Sequence, residues 1–305
     1  MAPMSPPAGS TTPAGPQRGF IIVAVLWMLA ALAILASVYA VYASNAAAAS
    51  HVADDRLQTQ ASVLAGVELV AAQLTAASEA TRPSFGDFAL GLGRSKITVS
   101  YQSEGARIDL NAAPKELLAN LFLTVGIDAN RATYCANRII AWRKKSAVGA
   151  DDAEAFAYKS AGYAYPPRGA PFQNVRELSL VLGLSDEIVQ RILPFVTVFN
   201  GRAEIDVAAA APEVLASLPG MDPQLLHDVL AQRARDPTNG PALLQALGPA
   251  RARALTTAGK AARMQIVVDL DNGRRVRAEV VILILEDGDE PYRVLSWRDD
   301  FDGPI

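Results

Sequence analysis

An uncharged stretch dominates the N-terminal part of the chain. Residues 20–53 contain no Asp, Glu, Lys or Arg, and their first half is almost continuously apolar. An apolar run of about 18 residues or more is long enough to cross a bilayer as a helix. Because no proline occurs between Pro16 and Pro83, we expect one long helix. Its membrane-spanning part covers residues 20–43, and an amphipathic part covers residues 44–80.

The amphipathic part carries an apolar stripe at helical spacing. Leu57, Leu64, Val67, Ala71 and Leu74 fall on one side, and polar residues lie off it. An apolar stripe on a helix must be buried against another element. We therefore expect this part of the helix to rest on a folded domain.

Alternating residues after the helix predict a first group of strands. Pro83–Gly93, rich in glycine, proline and phenylalanine, is interpreted as a break, and Lys96–Tyr101 alternates like a strand. Ala106–Leu110 is predicted to be its hairpin partner across a short turn.

Strand character returns near the C-terminus. Met264–Leu270 and Arg274–Leu285 flank Asn272-Gly273, and an Asn-Gly pair between apolar runs is a strong hairpin signal. Tyr292–Trp297 is predicted as a further strand. Between the two strand groups, residues 111–263 show a helical pattern interrupted by glycine and proline.

The order of elements predicts an α+β fold. A sheet built from residues 94–110 and 264–300 would hold a helical insertion of residues 111–263, with the flanking strands pairing across it. The insertion contains a repeat, because the segment from Ile108 to Leu121 aligns without gaps with the segment from Ile205 to Leu218. Such repetition indicates a duplicated supersecondary unit.

Composition argues against several classes of function. The net charge of −3 gives no general electrostatic reason to bind nucleic acid. The single cysteine, Cys135, lies in a helical pattern and is predicted to be a small buried residue. His51 and His227 are the only histidines, and the sequence places no triad partners near them, so we do not expect an enzyme.

The junction before the apolar run suggests a family. A leader of residues 1–19, rich in proline, glycine, serine and threonine, ends in Arg18-Gly19, and the apolar run starts at Phe20. With the long helix, the repeat and the tract from Pro171 to Leu178, this arrangement resembles the K-type minor pseudopilins of the type II secretion system. The resemblance covers nearly the whole chain.

The resemblance implies a pilin-like fold and a role in protein export. A long N-terminal helix would pack on an antiparallel sheet, and the insertion would form two small helical subdomains of the SAM or helix-hairpin-helix type. Prepilin peptidase would cleave between Gly19 and Phe20, and the new N-terminus would be methylated. The protein would insert in the bacterial inner membrane with its N-terminus in the cytoplasm and its head in the periplasm, where it would form or cap the filament tip.

The resemblance also implies partners. These are other minor pseudopilins of the tip complex, prepilin peptidase and the inner membrane, with no nucleic acid. Contacts between helices would involve the first turns after the cleavage site: Phe20, Ile21, Ile22, Ala24, Leu26 and Leu29. Most pilin-like subunits carry a glutamate at the position of Ala24, which is thought to meet the free amine of a neighbouring subunit. Its absence fits a subunit with no predecessor above it.

Calcium is a cofactor that the family uses and that this sequence supports only weakly. The family binds calcium through an acidic tract after a tryptophan, but Lys144 and Lys145 stand where aspartates are usual. The candidate ligands are Asp151, Asp152 and Glu154, since calcium is held by carboxylate oxygens. No other cofactor is expected.

Two other interpretations remain open at this point. The repeat and three glycine-containing turns resemble helix-hairpin-helix proteins of DNA uptake, whose backbone N–H groups bind phosphate. Asp128 and Asp222, however, would face that phosphate and repel it. A generic anchored periplasmic protein is the other alternative, in which Arg18-Gly19 is accidental and cleavage near Ala49 is conceivable.

Overall fold

The computed structural model describes residues 18–145, 153–287 and 289–300, and for residues 18–20 and 47–53 it describes the backbone alone. The chain divides into two compact units, residues 1–57 and 58–305. Helix α1 (Arg18–Ala76) supplies the described part of the first unit and continues into the second. The remaining helices and all strands belong to the second unit.

The second unit contains short helices and both long and two-residue strands. The helices are α2 (Lys115–Thr124), α3 (Ala129–Arg143), α4 (Ala153–Ser160), α5 (Asp186–Ile192), α6 (Pro212–Ala216), α7 (Pro223–Arg235) and α8 (Gly240–Ala246). Short 3-10 helices occupy Glu104–Ala106, Val175–Leu180, Leu193–Phe195 and Gly248–Arg253. The strands are β1 (Phe85–Leu92), β2 (Ser95–Ser103), β3 (Ile108–Asp109), β4 (Val196–Thr197), β5 (Ile205–Asp206), β6 (Ala254–Leu255), β7 (Ala261–Leu270), β8 (Arg275–Ile284) and β9 (Tyr292–Asp299).

A five-stranded antiparallel sheet has the order β1-β2-β7-β8-β9. Strands β2 and β7 are direct neighbours although the whole helical block lies between them in sequence, and their register pairs Ser103 with Ala262. This confirms the prediction that the flanking strands pair across the insertion. The Asn272-Gly273 turn joins β7 to β8, also as predicted, and Gly273 adopts a positive φ of 83°.

The hairpin predicted for Ala106–Leu110 is wrong. Strand β2 pairs on one side with β1 and on the other with β7, so neither edge is left for that segment. Ile108–Asp109 instead forms β3, which pairs in parallel with β4.

The predicted break at Pro83–Gly93 is also wrong, because Phe85–Leu92 forms edge strand β1 outside the predicted sheet range. Its glycines have a packing role here. A Cβ added to Gly86 would lie 2.6–2.7 Å from atoms of the Tyr101 ring on the neighbouring strand, which leaves no room for a side chain. The glycine therefore allows close strand approach instead of ending the strand.

One face of the sheet packs on the later part of α1. The buried stripe consists of Val63, Val67, Val70, Ala71 and Leu74, and it forms one hydrophobic cluster with the inward-facing residues of β2, β7 and β8. The predicted stripe is thus partly confirmed, at Val67, Ala71 and Leu74. Leu57 and Leu64 are exposed instead, with 66% and 43% of their surface accessible.

The helical block has a separate core and is built from two copies of one unit. The first copy begins with β3 and returns to it through β4, and the second begins with β5 and returns to it through β6, both in parallel pairing. The predicted duplication therefore exists in three dimensions. Cys135 on α3 is fully buried in this core, as predicted.

Candidate interaction surfaces

The apolar first part of α1 is an unpartnered surface within its own unit. Over Ile21–Ala46 the helix is long and apolar enough to cross a membrane, and none of it is buried. Among the predicted contact residues, Ile21, Ile22, Leu26 and Leu29 expose more than half of their surface, and Ala24 is exposed.

Gly19 and Phe20 lie at the start of the same helix. Their side chains are outside the description, so the predicted processing site and the contact role of Phe20 stay predictions.

Two of the glycine-containing turns join consecutive helices. Gly126 joins α2 to α3 with a φ of 85°, and Gly220 joins α6 to α7 with a φ of 81°. After each turn an aspartate caps the next helix: Asp128 and Asp222 accept hydrogen bonds from backbone N–H groups three residues on, at 3.0 and 2.8 Å. A phosphate at either helix start would have to displace a carboxylate of like charge. The geometry of these two turns therefore disfavours the nucleic-acid interpretation.

Of the candidate calcium ligands, only Glu154 lies within the described residues. Asp151 and Asp152 lie outside the described residues. Glu154 on α4 forms an ion pair with Arg138 at 2.5 Å, so its carboxylate is already paired with a guanidinium group. Among the residues that the structure describes, no group of three His, Cys, Asp or Glu side chains is placed to hold a metal ion.

The structure describes the side chain of one of the two histidines. His227 on α7 is exposed. The side chain of His51 is outside the description.

Buried aspartates anchor the start of each repeat. Asp109 accepts hydrogen bonds from the N–H groups of Asn111 at 2.7 Å and of Gly201 at 2.7 Å. Asp206, its counterpart, accepts one from Ala208 at 3.2 Å. Burial raises the pKa of both carboxyl groups, and hydrogen bonds to neighbouring groups partly oppose the rise. These carboxylates hold turns together and were visible in the sequence only as a repeated Ile-Asp pair.

Five aromatic rings form a cluster that sequence reasoning missed. Trp142 on α3 lies 6.1 Å from the ring of Tyr158 and 6.1 Å from that of Phe172, measured between centroids. Tyr163 and Tyr165 complete the cluster at 5.4 Å from each other. The rings come from α3, α4 and the loop that follows α4, so their proximity has no periodic signal in the sequence.

An ionic network joins the helical block to the sheet. Glu104 precedes β3, has a completely buried side chain and accepts a hydrogen bond from Arg263 of β7 at 2.6 Å. Arg263 also contacts Glu279 of β8 at 2.6 Å, and Arg298 of β9 lies 3.6 Å from the same carboxylate. The hydroxyl of Thr197 on β4 donates to Glu104 as well. Charge pairing therefore fixes the insertion to the strands that flank it.

Comparison with known proteins gives a family match to part of the chain. The family model described as "Type II secretion system (T2SS), protein K" matches residues 99–201, which run from β2 through the first repeat to Gly201. Over these residues, the chain is similar to the protein K family of the type II secretion system.

The fold has a solved relative. The chain is similar to a chain in the crystal structure of the GspK-GspI-GspJ complex from the type 2 secretion system of enterotoxigenic Escherichia coli. The two are 14% identical, with a TM-score of 0.56, over 80% of this chain and 98% of that one. The shared architecture is the α+β pseudopilin fold with a long N-terminal helix. A search of curated protein sequences found no significant match.

Proposed function

We propose that this chain is a minor pseudopilin of the type II secretion system that caps the tip of a short periplasmic filament, held in the inner membrane by the first part of α1 before assembly. The observation that carries the proposal is the helical block of residues 104–260, inserted between the neighbouring strands β2 and β7. A head enlarged in this way would oppose the addition of another subunit above it. The same bulk is no obstacle to subunits that join below.

Membrane insertion rests on the composition and exposure of α1. Its segment Ile21–Ala46 contains 26 residues, and about 20 apolar residues suffice to cross a bilayer. A helix satisfies its own backbone hydrogen bonds, which lipid cannot do. The exposed side chains of this segment would meet lipid first and the helices of neighbouring subunits after assembly. Arg18 precedes the span and favours a cytoplasmic N-terminus.

Ala24 supports a terminal position in the filament. A glutamate within a membrane helix is costly unless it meets a cation, and the resemblance to pilin-like subunits assigns that cation to the N-terminal amine of a neighbour. Ala24 offers no such carboxylate and is exposed on the helix. A subunit without this attachment would bind neighbours only from one side, as a tip subunit does.

Other minor pseudopilins are the proposed partners. The similar crystal structure contains three different subunits, GspK, GspI and GspJ. We infer that this chain likewise joins two other minor pseudopilins. The helix residues after the cleavage site would contribute to these contacts, namely Phe20, Ile21, Ile22, Ala24, Leu26 and Leu29.

The capping role can be tested by removing the insertion without breaking the sheet. Ser103 and Ala262 are paired residues of β2 and β7, so a two-residue Asn-Gly turn can replace residues 104–261 and convert the two strands into a hairpin. The sheet and α1 keep their own hydrophobic cluster, which is separate from that of the helical block. In secreting cells, we expect the variant to yield longer pseudopili and to reduce export of the secreted proteins.

The control is that the shortened protein still reaches the membrane and co-purifies with the other minor pseudopilins. If it does so and both pseudopilus length and export are unchanged, the insertion does not cap the filament. A variant that fails to co-purify indicates that the helical block is needed for partner binding, which would also contradict capping by bulk alone.

Processing is tested separately by mass spectrometry of the mature N-terminus. Co-expression with a prepilin peptidase should give a chain that begins with methylated Phe20. Replacing Gly19 with a bulky residue (Gly19→Phe) should leave the leader attached, and replacing Gly15 in the same leader (Gly15→Phe) serves as the matched control. An uncut wild-type chain, or cleavage near Ala49, would support the generic anchored protein instead.

A further inference from the structure

An arginine-rich cleft lies where the helical block meets the sheet. Its volume is about 270 Å³. Four arginines and one glutamate supply its charged lining, contributed by Arg107, Arg176, Arg263, Glu279 and Arg298. We call this feature the arginine cleft.

The carboxylates at the cleft already form ion pairs within the ionic network. Glu279 contacts Arg263 and Arg298, and Glu104, which is buried behind Arg263, contacts Arg263 as well. Within the described residues, positive side chains therefore exceed negative ones by two at this place. The surplus occurs in a chain whose net charge is −3, so it is a local feature.

Arg107 and Arg176 account for the surplus. Across the described ranges, 18–145, 153–287 and 289–300, neither guanidinium group makes an ion pair or a side-chain hydrogen bond. Burial and the nearby charge of Arg263 lower the pKa of Arg107, while the attraction of Glu104 and Glu279 only partly compensates. A partly buried cation in these surroundings is stabilised by an added anion.

The remaining lining defines what kind of anion fits. One wall is apolar and consists of Val175, Leu193, Pro194 and Val196. Small-molecule sites usually have volumes of about 300–1,000 Å³, so the cleft is at or below their lower limit. It is suited to a single carboxylate side chain whose methylene groups lie on the apolar wall. Guanidinium groups bind carboxylates through paired hydrogen bonds, which gives such a contact both energy and direction.

We propose that the arginine cleft binds a carboxylate side chain from an acidic segment of a partner protein. Arg107 and Arg176 would contact the carboxylate, while Arg263 and Arg298 remain in the network with Glu279. This inference concerns partner recognition by the head, and it holds whether or not the protein caps a filament.

The test measures binding of a labelled, end-capped peptide of alternating glutamate and alanine to the full chain in nonionic detergent, by fluorescence anisotropy. We expect saturable binding that weakens at high salt, because exposed charge interactions are screened. A peptide of alternating glutamine and alanine should bind at least about tenfold more weakly, the loss typical of a charged hydrogen bond.

Variants locate the site. Arg107→Gln and Arg176→Gln should each weaken binding of the glutamate peptide about tenfold. Arg176 is exposed, so its replacement tests the site without disturbing the core. Arg251→Gln is the matched control, since Arg251 is an exposed arginine that does not line the cleft, and its binding should stay within about twofold of wild type.

Three results would overturn the proposal. Equal binding of the glutamate and glutamine peptides would mean that charge is not recognised. Unchanged binding in both cleft variants would place the peptide elsewhere. Binding of inorganic phosphate without binding of the glutamate peptide would make the cleft a phosphate site.

Discussion

Arg143 and Arg233 perform the same structural task in the two repeats of the helical block. Each lies near the end of the second helix of its repeat and donates hydrogen bonds to two backbone carbonyls of the turn that opens the repeat. The carbonyls are those of Leu110 and Ala113 in the first copy and of Val207 and Ala210 in the second. These pairs occupy equivalent positions when Ile108 is aligned with Ile205, so the duplication extends to an interaction that the aligned segments do not contain.

Removal of either arginine should destabilise its own repeat. In Arg143→Ala and Arg233→Ala, the opening turn loses charged donors to two carbonyls, which we expect to lower the local free energy of opening by about 2 kcal/mol. Hydrogen exchange followed by mass spectrometry should show faster exchange around β3 in the first variant and around β5 in the second. Arg235→Ala, an exposed change on α7, should have almost no effect. Equal exchange in Arg143→Ala and Arg235→Ala would contradict the assignment.

The buried glutamate of the ionic network should contribute strongly to stability. Glu104→Gln leaves Arg263 with only one of its two carboxylate partners in a buried setting. Loss of one member of a buried ion pair typically costs about 3–5 kcal/mol, and we expect about 3 here because Glu279 remains. Chemical denaturation of the full chain in detergent measures the change.

The matched control is Glu187→Gln. It removes an exposed ion pair with Arg191 on the surface of α5, where 73% of the glutamate side chain is accessible. Such pairs contribute less than about 1 kcal/mol. Similar losses of stability in the two variants would show that burial does not increase the contribution of Glu104 to stability.

Stability should depend on pH through Asp206. Burial raises the pKa of this carboxyl group above its ordinary value of 3.8, so the folded state holds the proton more tightly than the unfolded state does. Below pH 3.8 the carboxyl group is protonated in both the folded and the unfolded state, so its ionisation does not lower the stability. As pH rises through the folded-state pKa, the carboxyl ionises in a buried place and stability is lost. Relative to wild type, Asp206→Asn should therefore become more stable on going from about pH 4 to about pH 7.

Melting temperatures of wild type and Asp206→Asn across this pH range show whether the variant gains stability relative to wild type as pH rises. Asp236→Asn is the control, since hydrogen bonds from Thr238 lower the pKa of Asp236. The stability that Asp236 contributes is present above about pH 3.8 and should stay constant from there to neutral pH. A difference between wild type and Asp206→Asn that does not change with pH would contradict the prediction.

Tyr158 should stabilise the aromatic cluster through its hydroxyl group as well as its ring. The hydroxyl accepts a hydrogen bond from the N–H of Leu182 at 2.8 Å, and burial raises the pKa of Tyr158 to about 12, so the group stays neutral. Tyr158→Phe keeps the ring but leaves a buried N–H without its acceptor. We expect a loss of about 1–2 kcal/mol in denaturation experiments.

Tyr163→Phe is the matched change in the same cluster. Its hydroxyl has no hydrogen-bond partner within the described part of the chain, and its ring contacts with Tyr158 and Tyr165 are kept. The loss should stay below about 0.5 kcal/mol. If both variants lose the same stability, the ring environment and not the Leu182 hydrogen bond determines the effect.

Local signals predicted much of the fold. The apolar run and missing prolines indicated α1, alternation indicated β2, β7, β8 and β9, and Asn272-Gly273 indicated the hairpin between β7 and β8. Each of these depends on residues close together in sequence. Pairing of β2 with β7 followed from the order of elements, and the duplicated unit followed from an alignment of the chain with itself.

The errors and omissions share a physical cause, which is contact between residues far apart in sequence. In the sequence, Gly86 indicates a break and not a strand. Its place in a strand is explained only by the close approach of the Tyr101 ring on the neighbouring strand. Arg107 and Arg176 lie in different elements, and no spacing rule brings them to one cleft. The arginine caps of the repeats likewise depend on how helices pack back onto their opening turns.

The pairing of Ser103 with Ala262 has a consequence for how the head is made. Closing a flexible loop of this length would cost conformational entropy, and that cost grows slowly with the length of the loop. In the folded helical block, parallel strand pairs already bring the two ends of each repeat together. An ordered insertion of this kind lowers the entropic cost of placing β2 beside β7.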